Sequence, residues 1–92
     1  MAKAVVTLKI MPDTVEADLD AIEQAALKKI SAFSHNDDTK TEVELVAFGL
    51  KALKIMFVMD ESQGGPDELE KDIESMDGVM SCECVDVRRA IG

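Results

Sequence analysis

A tight reversal at Phe48-Gly49, set between two runs of β pattern, limits the fold of this chain more than any other feature. Before it, residues 42–47 alternate, with Val43, Leu45 and Ala47 opposite Glu42, Glu44 and Val46. After it, residues 50–59 form a second β run. Glycine lets the backbone bend without steric penalty, so the direct reading is two strands joined by a turn. From Leu45 to Ile55 the only interruptions of apolar sequence are that glycine and two lysines, Lys51 and Lys54. A phenylalanine ring at such a bend is costly to expose without a partner, and Phe48 becomes a candidate contact residue.

The chain on either side of this hairpin supplies one more strand and one helix. Residues 4–11 alternate, with Val6, Leu8 and Ile10 on one face and Val5, Thr7 and Lys9 on the other, until Pro12 ends the strand. Beyond the turn-forming Pro12-Asp13-Thr14, Asp18 caps an amphipathic helix of about four turns, with Leu19, Ile22, Ala26, Ile30 and Phe33 spaced by three or four residues. Residues 34–40, which include His35, Asn36, Asp37 and Asp38, have no periodic apolar position and read as a surface loop.

Residues 60–65 form a second loop, and Pro66 suits the first position of another helix, where its missing N–H is not needed. Asp67, Glu68 and Glu70 favour that helix N-terminus, Leu69, Ile73 and Met76 make its buried stripe, and Gly78 stops it. Residues 79–87 read as the last strand, before a tail that holds Arg88 and Arg89. The order predicts an α+β, ferredoxin-like βαββαβ sandwich, a four-stranded antiparallel sheet with both helices on one face. The open face, drawing on Val5, Thr7, Val46 and one side of the 50–59 strand, reads as too apolar to be only a solvated surface, with cover by a partner or second copy set against ordinary surface apolarity.

A chain of 92 residues implies a single domain over 1–92. The hydrophobic share of 47%, with only three aromatics, points to a small core of aliphatic side chains and methionine. With 19 acidic and 10 basic residues the net charge is −9, which repels phosphate backbones and sets nucleic acid aside as a direct partner. No apolar stretch approaches the roughly 20 residues of a membrane span, and no signal-peptide pattern opens the chain, so a cytoplasmic protein is expected.

Rival chemical sites are thin. Cys82 and Cys84, two apart on one strand face, are poorly placed to bridge each other and lack the further ligands of a tetrahedral metal site; buried or half-buried free thiols are expected. His35 is the default general base, but no nucleophile accompanies it. Gly64-Gly65-Pro66 before a helix resembles a phosphate-cradling turn, yet Asp67 and Glu68 follow it and no phosphate-loop pattern is present. No enzyme activity, metal or cofactor is expected.

Ala47-Phe48-Gly49-Leu50-Lys51-Ala52-Leu53-Lys54 stands between an acidic strand and an apolar strand, and Gly64-Gly65 and an acidic helix follow. Together with the opening Val5-Val6-Thr7-Leu8-Lys9-Ile10-Met11-Pro12 and the closing Val85-Asp86-Val87-Arg88-Arg89, this pattern closely resembles the archaeal translation elongation factor 1-beta family over nearly the whole chain. The resemblance implies a ferredoxin-like domain that promotes GDP release and GTP rebinding on the GTPase elongation factor 1-alpha.

It also implies that Phe48, with Gly49 and Lys51, contacts that partner, as an aromatic of the corresponding segment does in the eukaryotic relatives. Those relatives place a C-terminal lysine at the partner's Mg²⁺ site. The matching position falls at or near Gly92, and this chain has no lysine after Lys71. Arg88 and Arg89 are the remaining candidate cations there, although arginine is bulkier. A monomer is expected. The competing reading is a ferredoxin-like regulatory module that binds a small metabolite at a dimer interface; a small metal carrier using Cys82 and Cys84 is a third.

Overall fold

A computed structural model describes residues 3–35 and 38–90. Asn36 and Asp37 of the expected loop, and Gly92 with its matched cation position, lie outside the described residues. The elements are β1 (Lys3–Pro12), α1 (Leu19–Ser34), β2 (Thr39–Ala47), β3 (Leu50–Asp60), α2 (Asp67–Glu74) and β4 (Val79–Ala90), with a short 3₁₀ turn at Glu61–Gln63. The strands lie in the order β2-β3-β1-β4, every neighbouring pair antiparallel, which is the ferredoxin-like arrangement the pattern predicts.

Period-two alternation decides which side of the sheet is dry. In β1, Ala4, Val6, Leu8 and Ile10 are buried, and in β3 Leu53, Ile55, Phe57 and Met59 face the same core. The helices contribute Ile22, Ala26 and Ile30 from α1 and Leu69 and Ile73 from α2. Each large side chain so buried contributes about 1.5–3 kcal/mol. Phe33 closes the end of this core edge-on against Phe57, with ring centroids 6.4 Å apart.

Both helix starts follow from local chemistry. Asp18 is the N-cap of α1, and its Oδ1 accepts from the Ala21 N–H at 3.1 Å. Pro66 is the N-cap of α2 rather than its first residue, and its carbonyl accepts the first helical bond, from the Glu70 N–H at 2.9 Å. Gly78, after α2, has φ +85 and faces Ile22, where the chain turns back into β4.

Three boundaries differ from the sequence reading, the two at strands because a strand beside a central partner is held by its backbone whatever its side chains, and the one at α1 because of its cap. Thr39, Lys40 and Thr41 pair with Phe57, Met56 and Ile55, so β2 begins inside the expected loop. α1 reaches Ser34, and His35 is not a loop residue but its left-handed C-cap, donating to the Ser31 carbonyl at 2.9 Å. Arg88 and Arg89 are not a tail: they pair with Val5 and Ala4 inside β4.

The open face combines a charge network with the apolar residues expected there. Lys9 and Lys54 stand directly opposite each other across β1 and β3, a repulsive arrangement on its own. Glu44 sits between them, 3.7 Å from Lys9 Nζ and 3.5 Å from Lys54 Nζ, and Lys40 pairs with Glu42 at 3.5 Å. Val5, Met56 and Val58 on that face are half-buried. The large exposed apolar side chains are Val15, Val43, Leu45, Val46, Phe48, Met80, Val85 and Val87, which lie at the hairpin and along the two edge strands.

Candidate functional site

The β2–β3 hairpin closes with two turn residues, Phe48 and Gly49, between the paired Ala47 and Leu50. Their φ angles are +53 and +80, the signature of a two-residue type I′ reversal, whose twist matches that of the flanking strands. Such turns favour asparagine followed by glycine, and a side chain with a Cβ held in the left-handed region costs about 1–2 kcal/mol. Phe48 is also 98% exposed. One residue therefore carries two unfavourable terms, backbone strain and a fully hydrated ring, neither of which the fold requires. Strain of this kind persists at sites where a particular side chain must be presented.

The surroundings of the turn are built from three segments. Val46 is the extra residue of a bulge between Leu45 and Ala47, a device that re-aims side chains near a strand end. Val15, from the β1–α1 connection, approaches the turn so closely that a Cβ on Gly49 would lie 3.7 Å from its Cγ1. A cleft of about 400 Å³ separates hairpin from helix start, and its lining includes Val15, Asp18, Asp20, Gly49 and Lys51. Lys51 is exposed there, across β2 from Leu45. Phe48, Gly49 and Lys51 thus share one end of the sheet.

Arg88 and Arg89 do not join them. Arg89 is level with Ala4 and, through β1, with Met59, nine residues along β3 from Leu50. At about 3.3 Å per residue this sets the two groups roughly 30 Å apart, within a molecule 42 Å long. Both arginines are already engaged, Arg88 Nε with Asp86 at 2.9 Å and Arg89 Nε with Glu61 at 2.8 Å. The Ser62 N–H, donating to Asp60 Oδ1 at 3.0 Å, holds the Asp60 carboxyl below the usual range beside them.

The other candidates resolve into structural roles. Cys82 is buried and Cys84 half-buried, both as free thiols. Burial first, then the charges of Glu70 and Glu74, push the Cys82 thiol from its ordinary 9.0 to about 12, while burial raises Cys84. Such thiols are poor nucleophiles and poor metal ligands at neutral pH. Among the described residues no three His, Cys, Asp or Glu side chains gather in a metal-holding group. The first turn of α2 carries Asp67, Glu68 and Glu70, which repel an anion. No helix of the described residues is long and apolar enough to cross a membrane.

Sequence pattern alone passed over Val15, Val43 and Leu45. Val43 and Leu45 have the alternation of core residues, and the signal that they are not core is arithmetic: two helices do not cover four strands. α1 packs on β3, α2 on β4, and the margin of β2 is left bare.

Comparison with known proteins supplies the remaining evidence. The family model for the EF-1 guanine nucleotide exchange domain matches residues 5–90. A protein of Methanobrevibacter smithii named Elongation factor 1-beta is 37% identical over 92 residues, covering 97% of this chain and 98% of its own. Proteins of the same name from Methanothermobacter thermautotrophicus, with 97% and 98% covered, and Thermofilum pendens, with 100% of both, are each 34% identical. Among solved structures, the de novo designed protein Foldit4 has a TM-score of 0.60 at 16% identity, covering 98% of both chains. BlrP1 BLUF has 0.57 at 14%, covering 100% of this chain and 57% of its own. These last two speak for the fold alone. The sequence resemblance is borne out: the chain belongs to the family of EF-1 guanine nucleotide exchange domains, and its activity is guanine nucleotide exchange in translation elongation.

Proposed function

We infer that this chain works as a single exchange domain on elongation factor 1-alpha, with Phe48 as its principal contact. The observation that carries the reading is the exposed ring on a left-handed backbone at the hairpin tip. An aromatic side chain with few rotatable bonds loses little entropy on docking and buries a large area, which is why such residues dominate binding energies. Gly49 supplies the second positive φ that the turn needs, and Lys51 places an exposed cation at the same end of the sheet.

Exchange is a binding event. A factor that prefers the nucleotide-free GTPase weakens GDP binding by the same ratio, because coupling between two ligands is reciprocal. Release of GDP makes and breaks no covalent bond, so the work needs no nucleophile, acid–base pair or metal of the factor's own. The factor acts as a monomer on this reading. If Arg88 or Arg89 acts as the displacing cation at the partner's nucleotide site, it must first leave Asp86 or Glu61. With the two groups about 30 Å apart by the strand rise, the domain must then lie lengthwise along the GTPase.

The test is release of a fluorescent GDP analogue from the matching elongation factor 1-alpha. Micromolar amounts of this protein are expected to accelerate release, and Phe48→Ala to remove most of the acceleration with the fold intact. No acceleration by the unaltered protein ends the reading, and full activity of Phe48→Ala removes Phe48 from the contact.

A further inference from the structure

We propose that the exchange contact continues from Phe48 along the helix-side margin of β2, through Leu45 and Val43, with Val15 flanking the turn, so that the GTPase lies against the helix side of the hairpin. This rests on the reading of Phe48 as the GTPase contact. Leu45 and Val43 pair with Lys51 and Leu53, on the side of the sheet that carries the core. They are nevertheless 69% and 57% exposed, and Val15, which abuts the turn at Gly49, is 60% exposed. Val43, Leu45 and Val15 thus leave an exposed apolar ridge at the margin of the sheet whose turn carries Phe48.

Three further observations favour one occupant. The open face, the alternative docking surface, carries the Lys9–Glu44–Lys54 network at its hairpin half, and a partner laid over it there would have to desolvate those charges. Apart from Val46 in the β2 bulge, the remaining exposed large apolar residues, Met80, Val85 and Val87, lie on β4 at the opposite edge of the sheet, where Met80 and Val85 fall at the two register breaks. Asp18 and Asp20 line the cleft beside Val15 together with Lys51, and the exposed Glu16 follows Val15, so that carboxylates outnumber the cation there. An apolar ridge with an acidic border fits a GTPase surface that offers an apolar groove edged by basic residues, whereas a second copy of this chain would set acid against acid.

The experiment measures the factor concentration giving half-maximal GDP release for the unaltered protein, Phe48→Ala, the pair Val43→Thr and Leu45→Thr, Val15→Ser alone, and the open-face control Val58→Thr. Threonine has the β-branched shape that a strand favours, and thermal melting checks that each variant is folded. The half-maximal concentration is expected to rise about tenfold for the ridge pair, the size of a lost apolar contact worth about 1.4 kcal/mol. A smaller rise is expected for Val15→Ser, and none for Val58→Thr. Ridge variants that match the unaltered protein while Phe48→Ala fails would overturn the ridge and leave the Phe48 reading standing. An unaffected Phe48→Ala would overturn both. Light scattering that shows a dimer abolished by Leu45→Thr would assign the ridge to a second copy and overturn the proposal.

Discussion

The two ends of the sheet solve opposite problems with the same backbone. At the hairpin end the chain spends stability to display one ring, holding Phe48 at φ +53 with 98% of its surface in water. At the far end it neutralises what it displays, with Arg88 against Asp86 and Arg89 against Glu61. Paired, solvated charges serve solubility and cost little to keep, whereas a strained and exposed aromatic is favoured only where something binds it. On the proposed reading, function concentrates at the end where folding alone favours another residue.

The largest expected effect breaks the hairpin end. Phe48→Ala is expected to slow GDP release about 100-fold, the loss of a contact worth about 2.7 kcal/mol, measured as kcat/KM for exchange. Its melting temperature should stay near that of the parent, because the ring packs on nothing at home. Gly49→Ala is expected to destabilise the fold by about 1–2 kcal/mol through its positive φ, read from urea unfolding, since the added methyl meets only an ordinary contact with Val15.

A third test concerns the interior between the two ends, at Cys82. Its folded pKa is raised to about 12, so the native state keeps a proton that the unfolded chain gives up from about pH 9. This contribution is fully present below pH 9 and is lost as pH rises towards 12. Stability should fall by up to about 1.4 kcal/mol per pH unit in that window, and Cys82→Ala should flatten this part of the profile in urea titrations at pH 8, 9 and 10.

Two smaller effects sharpen the comparison. Phe48→Asn, which suits a left-handed turn, is expected to stabilise the fold by about 0.5–1 kcal/mol while exchange is lost, the opposing changes that separate a functional residue from a structural one. Arg89→Ala is expected to cost under about 1 kcal/mol, less at high salt, because its pair with Glu61 is solvated. Its effect on GDP release at fixed ionic strength decides whether the far end serves the partner or only the fold.

What was legible in the sequence was local. The alternation of Val6, Leu8 and Ile10, the three-and-four spacing from Leu19 to Phe33, the Asp18 cap and the glycine of the reversal each act within a few residues, and they were enough for the element order and the sheet. Phe48 was legible as a candidate because a ring beside a turn glycine has few structural uses. The reach of β2 and β4 was not, because strand pairing at Thr39–Thr41 and Arg88–Arg89 depends on what lies alongside.

By itself the sequence determined the order of strands and helices, the side of β1 that is dry, and the family, since these depend on side-chain spacing and identity. Only the tertiary structure decided which apolar residues stay wet. Val43 and Leu45 alternate like core residues, and they are exposed because α1 rests on β3 and leaves the edge strand uncovered. It also decided that Phe48 and the arginines stand at opposite ends and that the arginines are paired, since the distance between charges belongs to the fold and not to the order of residues.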